Sequence, residues 1–478
     1  MPLLKLSLIA LLVVAELAVL VRAILRPHRE PASRLAWVIF IVIAPVVGPV
    51  IYLLLGETRL ARRRAGHEID RLLPRPPVDE AALAVLNASL HCAPFALART
   101  VNDLAPAGGN RATIAADSNA ALDSMVADID SAQEHVHLCT YIWLGDGNGL
   151  KMKQALIRAA KRGVAVRALV DALGSRQFIK SSDWSDLRAS GAEMRVALPI
   201  GNPLRMLTGG RLDLRNHRKL LVIDNAIAWC GSQNLADPEF RVKARFAPWV
   251  DIMTRWEGPV ARDCQFLFVS DWMGEGGADI SECICKGPCR PLNGAGGIIA
   301  QVLGTGPTLS FDAMPTCFAE LIHSAREELV VTTPYFVPDE QLLYALLAAA
   351  RRGVRTILVF PRRNDSLFVA AASRSYYRDL IDHGARIFEF RPGLLHSKTM
   401  VVDRKVALIG SANIDRRSFE LNFENNILFD DSDFATVIRS RQDDYIAQSD
   451  EVGAADVDRF GLGRRLWQNF LAMLSPVL

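Results

Sequence analysis

One pattern occurs twice in this chain at a fixed distance. His217-Arg218-Lys219 leads through four residues to Asp224, and His396-Ser397-Lys398 leads through four residues to Asp403. Both read H-x-K-x4-D. Each is followed by a G-S-x-N element: Gly231, Ser232 and Asn234, then Gly410, Ser411 and Asn413. Every one of these positions recurs 179 residues later. Two copies in register mark a duplicated domain, and a repeat of this length is not a solenoid unit. The chain must therefore build two halves of one kind. It can place two imidazoles and two ammonium groups around a single phosphodiester.

The residue types suit phosphoryl chemistry. A phosphodiester needs a nucleophile, a proton donor for the leaving oxygen, and positive charge on its nonbridging oxygens. Histidine, with an ordinary pKa of about 6.5, can do the first two jobs. One histidine can attack phosphorus and become a phosphohistidine. The other can protonate the leaving alkoxide and then deprotonate an incoming alcohol. Lysine places a point charge on phosphate oxygens. Together with the asparagine amides, the lysines would replace a metal as stabilising charge. The apolar run between Lys and Asp predicts a short buried strand entered from the His-x-Lys end. Alternation along a strand then points His and Lys the same way. Gly231 and Gly410 are expected to let the backbone approach the phosphate.

The remaining pattern is α/β. Amphipathic stretches at Gly149–Arg162 and Glu340–Arg352 precede the Val/Leu/Ile-rich runs Val164–Val170 and Val354–Phe360. Helices followed by short apolar runs predict α/β layers. The halves differ by insertion: Gly163 to His217 is 54 residues, Gly353 to His396 only 43. The extra piece includes Pro199–Gly210, either a lipid-facing loop over the site or an ordinary surface loop. Residues 65–110 read as a linker with one helix near Glu80–Leu90.

The two motifs resemble those of the phospholipase D superfamily. The surrounding text is similar to its bacterial cardiolipin synthase branch. The pieces that carry this are Thr140–Trp143, Ala160–Val164, Leu169–Ser175, Arg215–Asp224, Pro248–Asp251, Thr332–Pro338 and Arg417–Asn425. The likeness covers nearly the whole chain. It implies two duplicated phospholipase D-like α/β/α sandwich domains, 111–295 and 296–478, behind an N-terminal transmembrane helical hairpin in 1–64. It implies phosphatidyl transfer between two phosphatidylglycerols, giving cardiolipin and glycerol, with no metal and no cofactor. By position, His217 and His396 are nucleophile and acid/base, with His217 the expected nucleophile. Lys219, Lys398, Asn234, Asn413, Ser232 and Ser411 are expected at the phosphate. Asp224 and Asp403 complete the catalytic motif and are expected to support the lysines and backbone. A downstream carboxylate orients each histidine in this superfamily: Asp251 fits the first half and Glu424 the second. Their separation is 173 residues, not 179. Asp237 stands where the second copy has Arg416, so the halves are unequal.

Composition agrees with a membrane enzyme carrying a large catalytic part. The net charge of +3 gives no support to nucleic-acid binding. Eight cysteines at irregular spacing do not resemble a secreted disulfide framework, so reduced thiols in the cytosol are expected. Cys283, Cys285 and Cys289 cluster without a fourth ligand and make a poor zinc site. Two apolar runs, Leu8–Leu25 and Ala36–Leu55, each approach the roughly 20 residues needed to cross a bilayer, and neither is a signal peptide. A multi-pass protein of the bacterial inner membrane, with cytosolic catalytic domains, follows. Arginine clusters flank the second run on both sides: Arg22, Arg26, Arg29 and Arg34, then Arg59 and Arg62 to Arg64. A simple hairpin puts them on opposite faces, where the positive-inside rule cannot choose. Pro45, Gly48 and Pro49 can break that run, and a re-entrant second segment would resolve the conflict. The C-terminal stretch Arg464–Leu474 has helical apolar spacing, and packing on the second domain is expected ahead of membrane-surface contact.

Three function classes fit these features. They are a phosphatidyltransferase, a phospholipase D-type hydrolase using water as acceptor, and a membrane-anchored lipid-binding protein with a dead site. Both complete motifs count against the third. The resemblance outside the motifs favours the first. Oligomeric state is not readable.

Overall fold

The computed structural model describes residues 2–26, 31–56, 69–199, 213–285, 297–307 and 312–474. Most of the insertion at Pro199–Gly210, the downstream arginine cluster, Arg29 and Cys289 lie outside them.

The two halves repeat one α/β plan. In the first, His135–Thr140, Ala165–Asp171 and Glu193–Ala197 form a parallel trio. In the second, Glu328–Thr332, Arg355–Pro361 and Arg386–Phe390 do the same. The crossover helices are Gly147–Lys161 and Glu340–Arg351, where the apolar spacing predicts them. Asp146 and Asp339 cap them by accepting from the amides of Gly149 and Leu342. Each trio is extended by an antiparallel motif strand, Leu220–Ile223 or Thr399–Val402. All residues of both motif strands are buried.

Among the described residues, one sixteen-stranded sheet runs through both halves. They meet where Ala107–Ile114 pairs antiparallel with Ile298–Thr305. The layer beneath this seam is built from both halves, including Trp256, Phe268, Phe429 and Phe434. The stretch expected as a linker is not a tether. Helix Cys92–Asn102 buries Phe95 and Ala98 in the core of the second half. Asn102 donates to the Val302 carbonyl at 3.2 Å. Chain from before the first half thus helps to close the second.

The motif aspartates end the motif strands. Asp224 and Asn225 lie at φ 51° and 54°, Asp403 and Arg404 at φ 52° and 53°. Such tight hairpin turns favour Asp and Asn. The Asp224 carboxylate accepts from the amides of Gln133, Glu134 and His135 at 2.8–2.9 Å. Asp403 accepts from Arg326, Glu327 and Glu328 at 2.8–2.9 Å. The expected backbone support is present. The expected catalytic place and support of the lysines are not, because each carboxylate is committed to a turn at the far end of its strand. We expect Asp224→Ala to lower Tm by roughly 5–10 °C through the loss of three charge-assisted bonds. The rate per folded molecule should stay within about twofold. A large rate loss at unchanged Tm, measured by calorimetry beside an activity assay, would return Asp224 to the site.

Gly231 and Gly410 also serve the sheet. A Cβ on Gly231 would lie 2.2 Å from the Ile252 carbonyl oxygen, and one on Gly410 would lie 2.3 Å from that of Asn425. The close approach seen here is to neighbouring backbone.

Pro2–Leu25 is one apolar helix, long enough to cross a bilayer. The second apolar run does not form a single helix. It breaks into Pro31–Ile43 and Val47–Leu55, with Val46 at φ 71° between them. Trp37 and Tyr52 are 15 residues apart, about 22 Å along a straight helix. Their ring centroids lie only 5.2 Å apart. The run therefore folds back on itself. Gly48 permits the fold, since a Cβ there would sit 2.7 Å from Cα of Ile41.

Candidate active site

Two short cross-half ladders assemble the site. Arg215–Asn216, just before the first motif histidine, pairs with Asn422–Phe423 of the second half. Leu394–Leu395, just before the second, pairs with Trp249–Val250 of the first half. The amide of His217 donates to the Phe423 carbonyl at 2.9 Å, and that of His396 to the Val250 carbonyl at 2.8 Å. One residue further along each partner segment is a carboxylate.

That register exchanges the orienting residues between halves. His217 Nδ1 is 2.9 Å from Glu424 Oε2, and His396 Nδ1 is 2.6 Å from Asp251 Oδ1. Both expected carboxylates are present, but each serves the histidine of the other half. Each acceptor fixes the Nδ1–H tautomer and leaves Nε2 as the free ring nitrogen. Both histidines line one cleft of about 910 Å³, with Asn234, Asn413, Tyr141, Tyr335, Trp249 and several arginines.

Ser232 and Ser411 are not on the cleft wall. Both are fully buried. Ser232 Oγ donates to Asp251 at 2.6 Å, and Ser411 Oγ donates to Glu424. They hold the carboxylates rather than phosphate, which corrects the expectation for them. Asn422 adds a third donor to Glu424 at 3.1 Å. The corresponding place before Asp251 is Trp249, whose ring lies 4.7 Å from that of His396. The two histidines thus have different surroundings. Arg416 adds a cation to the cleft wall, whereas its counterpart Asp237 accepts from the amides of Gly147 and Asn148.

The lysines lie beneath the wall. Lys219 Nζ donates to the His217 carbonyl at 2.7 Å, and Lys398 Nζ donates to that of His396. Burial pulls Lys219 down to about 8 and Lys398 to about 7, the charge of Lys219 adding to the second shift. Burial also lowers His217 to about 4, against the pull of Glu424. His396 falls through burial and the Lys398 charge, against Asp251. Burial alone would raise Asp251 and Glu424, but the histidines and lysines beside them leave both below their ordinary values. The imidazoles are thus held toward their neutral form, the carboxylates toward their anions, and both ammonium groups give up a proton more readily than exposed lysines do. An anion entering beside these buried groups would favour the charged form of both lysines and of the imidazoles.

The sign for the lysines follows directly. Their folded pKa values are lowered, so their charge is lost as pH rises through about 7 to 8, below the ordinary 10.5. We expect kcat/KM for an anionic diester to fall over about pH 7–9, and the protein without substrate to gain stability over that range as the unfolded chain keeps its protons longer. A pH–rate profile that stays flat to about pH 9.5 would contradict this lysine role.

Sequence reasoning missed the aromatic collar. The Tyr141 ring stands 5.0 Å from His217 and Tyr335 stands 6.4 Å from His396, both edge-on. Tyr335 donates to Asp365 at 2.7 Å, and Lys243 pairs with the same carboxylate. The two tyrosines are 194 residues apart, off the motif offset. Their signal was the aromatic in Thr140–Trp143 and in Thr332–Pro338.

A duplicated α/β fold with two carboxylate-held histidines facing one cleft defines an enzyme of phospholipase D type. The family model described as "Cardiolipin synthase, PLD-like domain" matches residues 125–245 and 318–444. A model for a phospholipase D-nuclease N-terminal segment matches residues 17–57. The chain is 35% identical over 462 residues to cardiolipin synthase A of Yersinia pseudotuberculosis serotype O:1b (strain IP 31758), covering 95% of each chain. The same figures hold for cardiolipin synthase A of Yersinia pestis bv. Antiqua (strain Angola). Among solved structures, phosphatidylserine synthase of Haemophilus influenzae Rd KW20 shares the fold, with TM-score 0.60 and 14% identity over 80% of this chain and 97% of that one. The chain belongs to the cardiolipin synthase family and is an enzyme of the phosphatidyltransferase type.

Proposed function

We propose that the cleft transfers a phosphatidyl group between two phosphatidylglycerol molecules through a phosphohistidine on His217. The observation that carries this reading is the pair of histidines held by Nδ1 across the domain seam, with Nε2 left for chemistry at one cleft. Nε2 of His217 attacks phosphorus as the bond to the glycerol headgroup breaks. His396, protonated on Nε2 once the anionic diester has entered, gives its proton to the departing glycerol oxygen. It then takes the proton from a glycerol hydroxyl of the second phosphatidylglycerol. That oxygen attacks phosphorus, the P–N bond breaks, and His217 is restored. Lys219, Lys398, Asn234 and Asn413 stabilise the charge that develops on the nonbridging oxygens. Asp251 and Glu424 keep each imidazole in one tautomer and stabilise its cationic form. Acid quenching during turnover, followed by mass spectrometry, should find the phosphatidyl adduct on the peptide of His217. An adduct on His396 alone would reverse the two roles.

The N-terminal helices support a single membrane crossing. Pro31–Ile43 and Val47–Leu55 extend only about 20 and 14 Å, short of the roughly 30 Å hydrocarbon core. Their fold-back returns the chain to the face it left. Arg34 donates to the Arg26 carbonyl at 3.0 Å, so the basic end of the first helix and the start of the second sit together. Arg22, Arg26 and Arg34 then face the cytosol of a bacterial inner membrane, as the positive-inside rule requires. The catalytic halves share that side, and Lys5 lies on the other. In intact cells, a membrane-impermeant maleimide should label Lys5→Cys but reach Cys285 only after permeabilisation. Protection of both sites until permeabilisation would restore a two-span hairpin.

A further inference from the structure

The C-terminal helix, Leu462–Leu474, is turned inside out for a water-facing element. Leu462, Leu466, Trp467, Phe470 and Met473 fall within one arc of its surface. Each residue is 53–75% exposed. The side facing the protein carries Leu471 and the polar Gln468, both buried. A helix docked only to complete a core would bury the first group and expose Gln468. The sequence reading favoured packing on the second domain. The structure shows that packing, but with the wrong face inward for packing alone to explain the composition.

The partner helix connects this face to the site. Leu462–Leu474 packs on Leu367–Ser375. Phe368 and Val369 of that second helix line the catalytic cleft, while Leu367 is 82% exposed. On another edge of the cleft, Val242 is exposed between the basic residues Arg241, Lys243 and Arg245. Arg464 and Arg465 flank the apolar arc, and Arg464 stacks on Phe460. Large apolar side chains, one tryptophan and flanking arginines match the chemistry of an anionic lipid surface, where the ring sits at headgroup depth and the cations meet phosphates. The chain also carries one helix long and apolar enough to cross a bilayer, which would keep such a surface within reach.

We propose that Leu462–Leu474 is an interfacial helix that lays its Leu466–Phe470 face into an anionic bilayer and sets the mouth of the catalytic cleft at the lipid headgroups. Leu367 extends the same contact on the cleft wall. The N-terminal helix tethers, and this helix fixes the tilt of the catalytic halves so that a lipid can slide from the membrane into the cleft.

The test uses the full chain in vesicles of phosphatidylcholine and phosphatidylglycerol. Phe470→Cys is labelled with an environment-sensitive fluorophore in a background where Cys92, Cys283, Cys285 and Cys289 are serine. Arg459→Cys is the control. Brominated lipid should quench the label at 470 and spare the one at 459, while aqueous iodide does the reverse. Iodide quenching at 470 would overturn the proposal. So would protection from both quenchers, which would mean that protein covers the face, for example a second copy of this chain. A second measurement rests on the reaction proposed above. Leu466→Asn with Phe470→Asn should slow turnover on vesicles about tenfold, yet leave monomeric short-chain phosphatidylglycerol within about twofold. Equal loss on both substrates would assign the helix to folding instead. The quenching result needs no activity, so it separates failure of this proposal from failure of the reaction.

Discussion

His217→Ala and His396→Ala are each expected to cut net phosphatidyl transfer about ten-thousand-fold or more. Without His217 there is no nitrogen to carry the phosphatidyl group. Without His396 the departing glycerol oxygen leaves as an alkoxide in a buried site, and the acceptor hydroxyl keeps its proton. The double substitution should be little worse than either single one, because the two groups act as a unit. Product formation from purified protein measures this, with Tm confirming that each variant folds. Substantial synthesis by either single variant would refute the two-step scheme.

The exchanged carboxylates give the second large effect. Glu424→Gln should impair His217, and Asp251→Asn should impair His396, each slowing glycerol-releasing turnover by about 10²–10³-fold. A substrate whose leaving group needs no acid, such as a p-nitrophenyl phosphodiester, separates the two. Its first step needs the nucleophile and its carboxylate, but not the acid. Asp251→Asn should therefore keep a stoichiometric burst of p-nitrophenolate, and Glu424→Gln should lose it. The reverse pattern would mean that each carboxylate serves the histidine of its own half, or that His396 is the nucleophile. The site of the trapped adduct decides between these.

Much of this was legible in the sequence, and the limits have physical causes. The doubled H-x-K-x4-D pattern identified the duplicated halves because all its positions recur at one offset, and its apolar interior predicted a strand that must be buried. Helix Gly147–Lys161 and strand Ala165–Asp171 followed from apolar spacing. The carboxylate exchange did not, because it depends on ladders only two residues long, Arg215–Asn216 with Asn422–Phe423 and Leu394–Leu395 with Trp249–Val250. Pairings that short have no periodicity to read. Ser232 and Ser411 were assigned to phosphate because a hydroxyl beside a motif asparagine suits either partner; only their burial on Asp251 and Glu424 distinguishes the two. Gly231 and Gly410 were read as phosphate contacts for the same reason: absence of a Cβ shows that something approaches, not what. The break in the second apolar run was signalled by Pro45, Gly48 and Pro49. Its consequence, a fold-back through Trp37 and Tyr52, needed coordinates.

Incubation of the purified full chain with glycerol-labelled and acyl-labelled phosphatidylglycerol, in liposomes, tests the central claim most directly. The account predicts acyl label in cardiolipin and one labelled free glycerol for each cardiolipin formed. Acyl label in phosphatidic acid, with no cardiolipin at any substrate density, would contradict it and make water the acceptor.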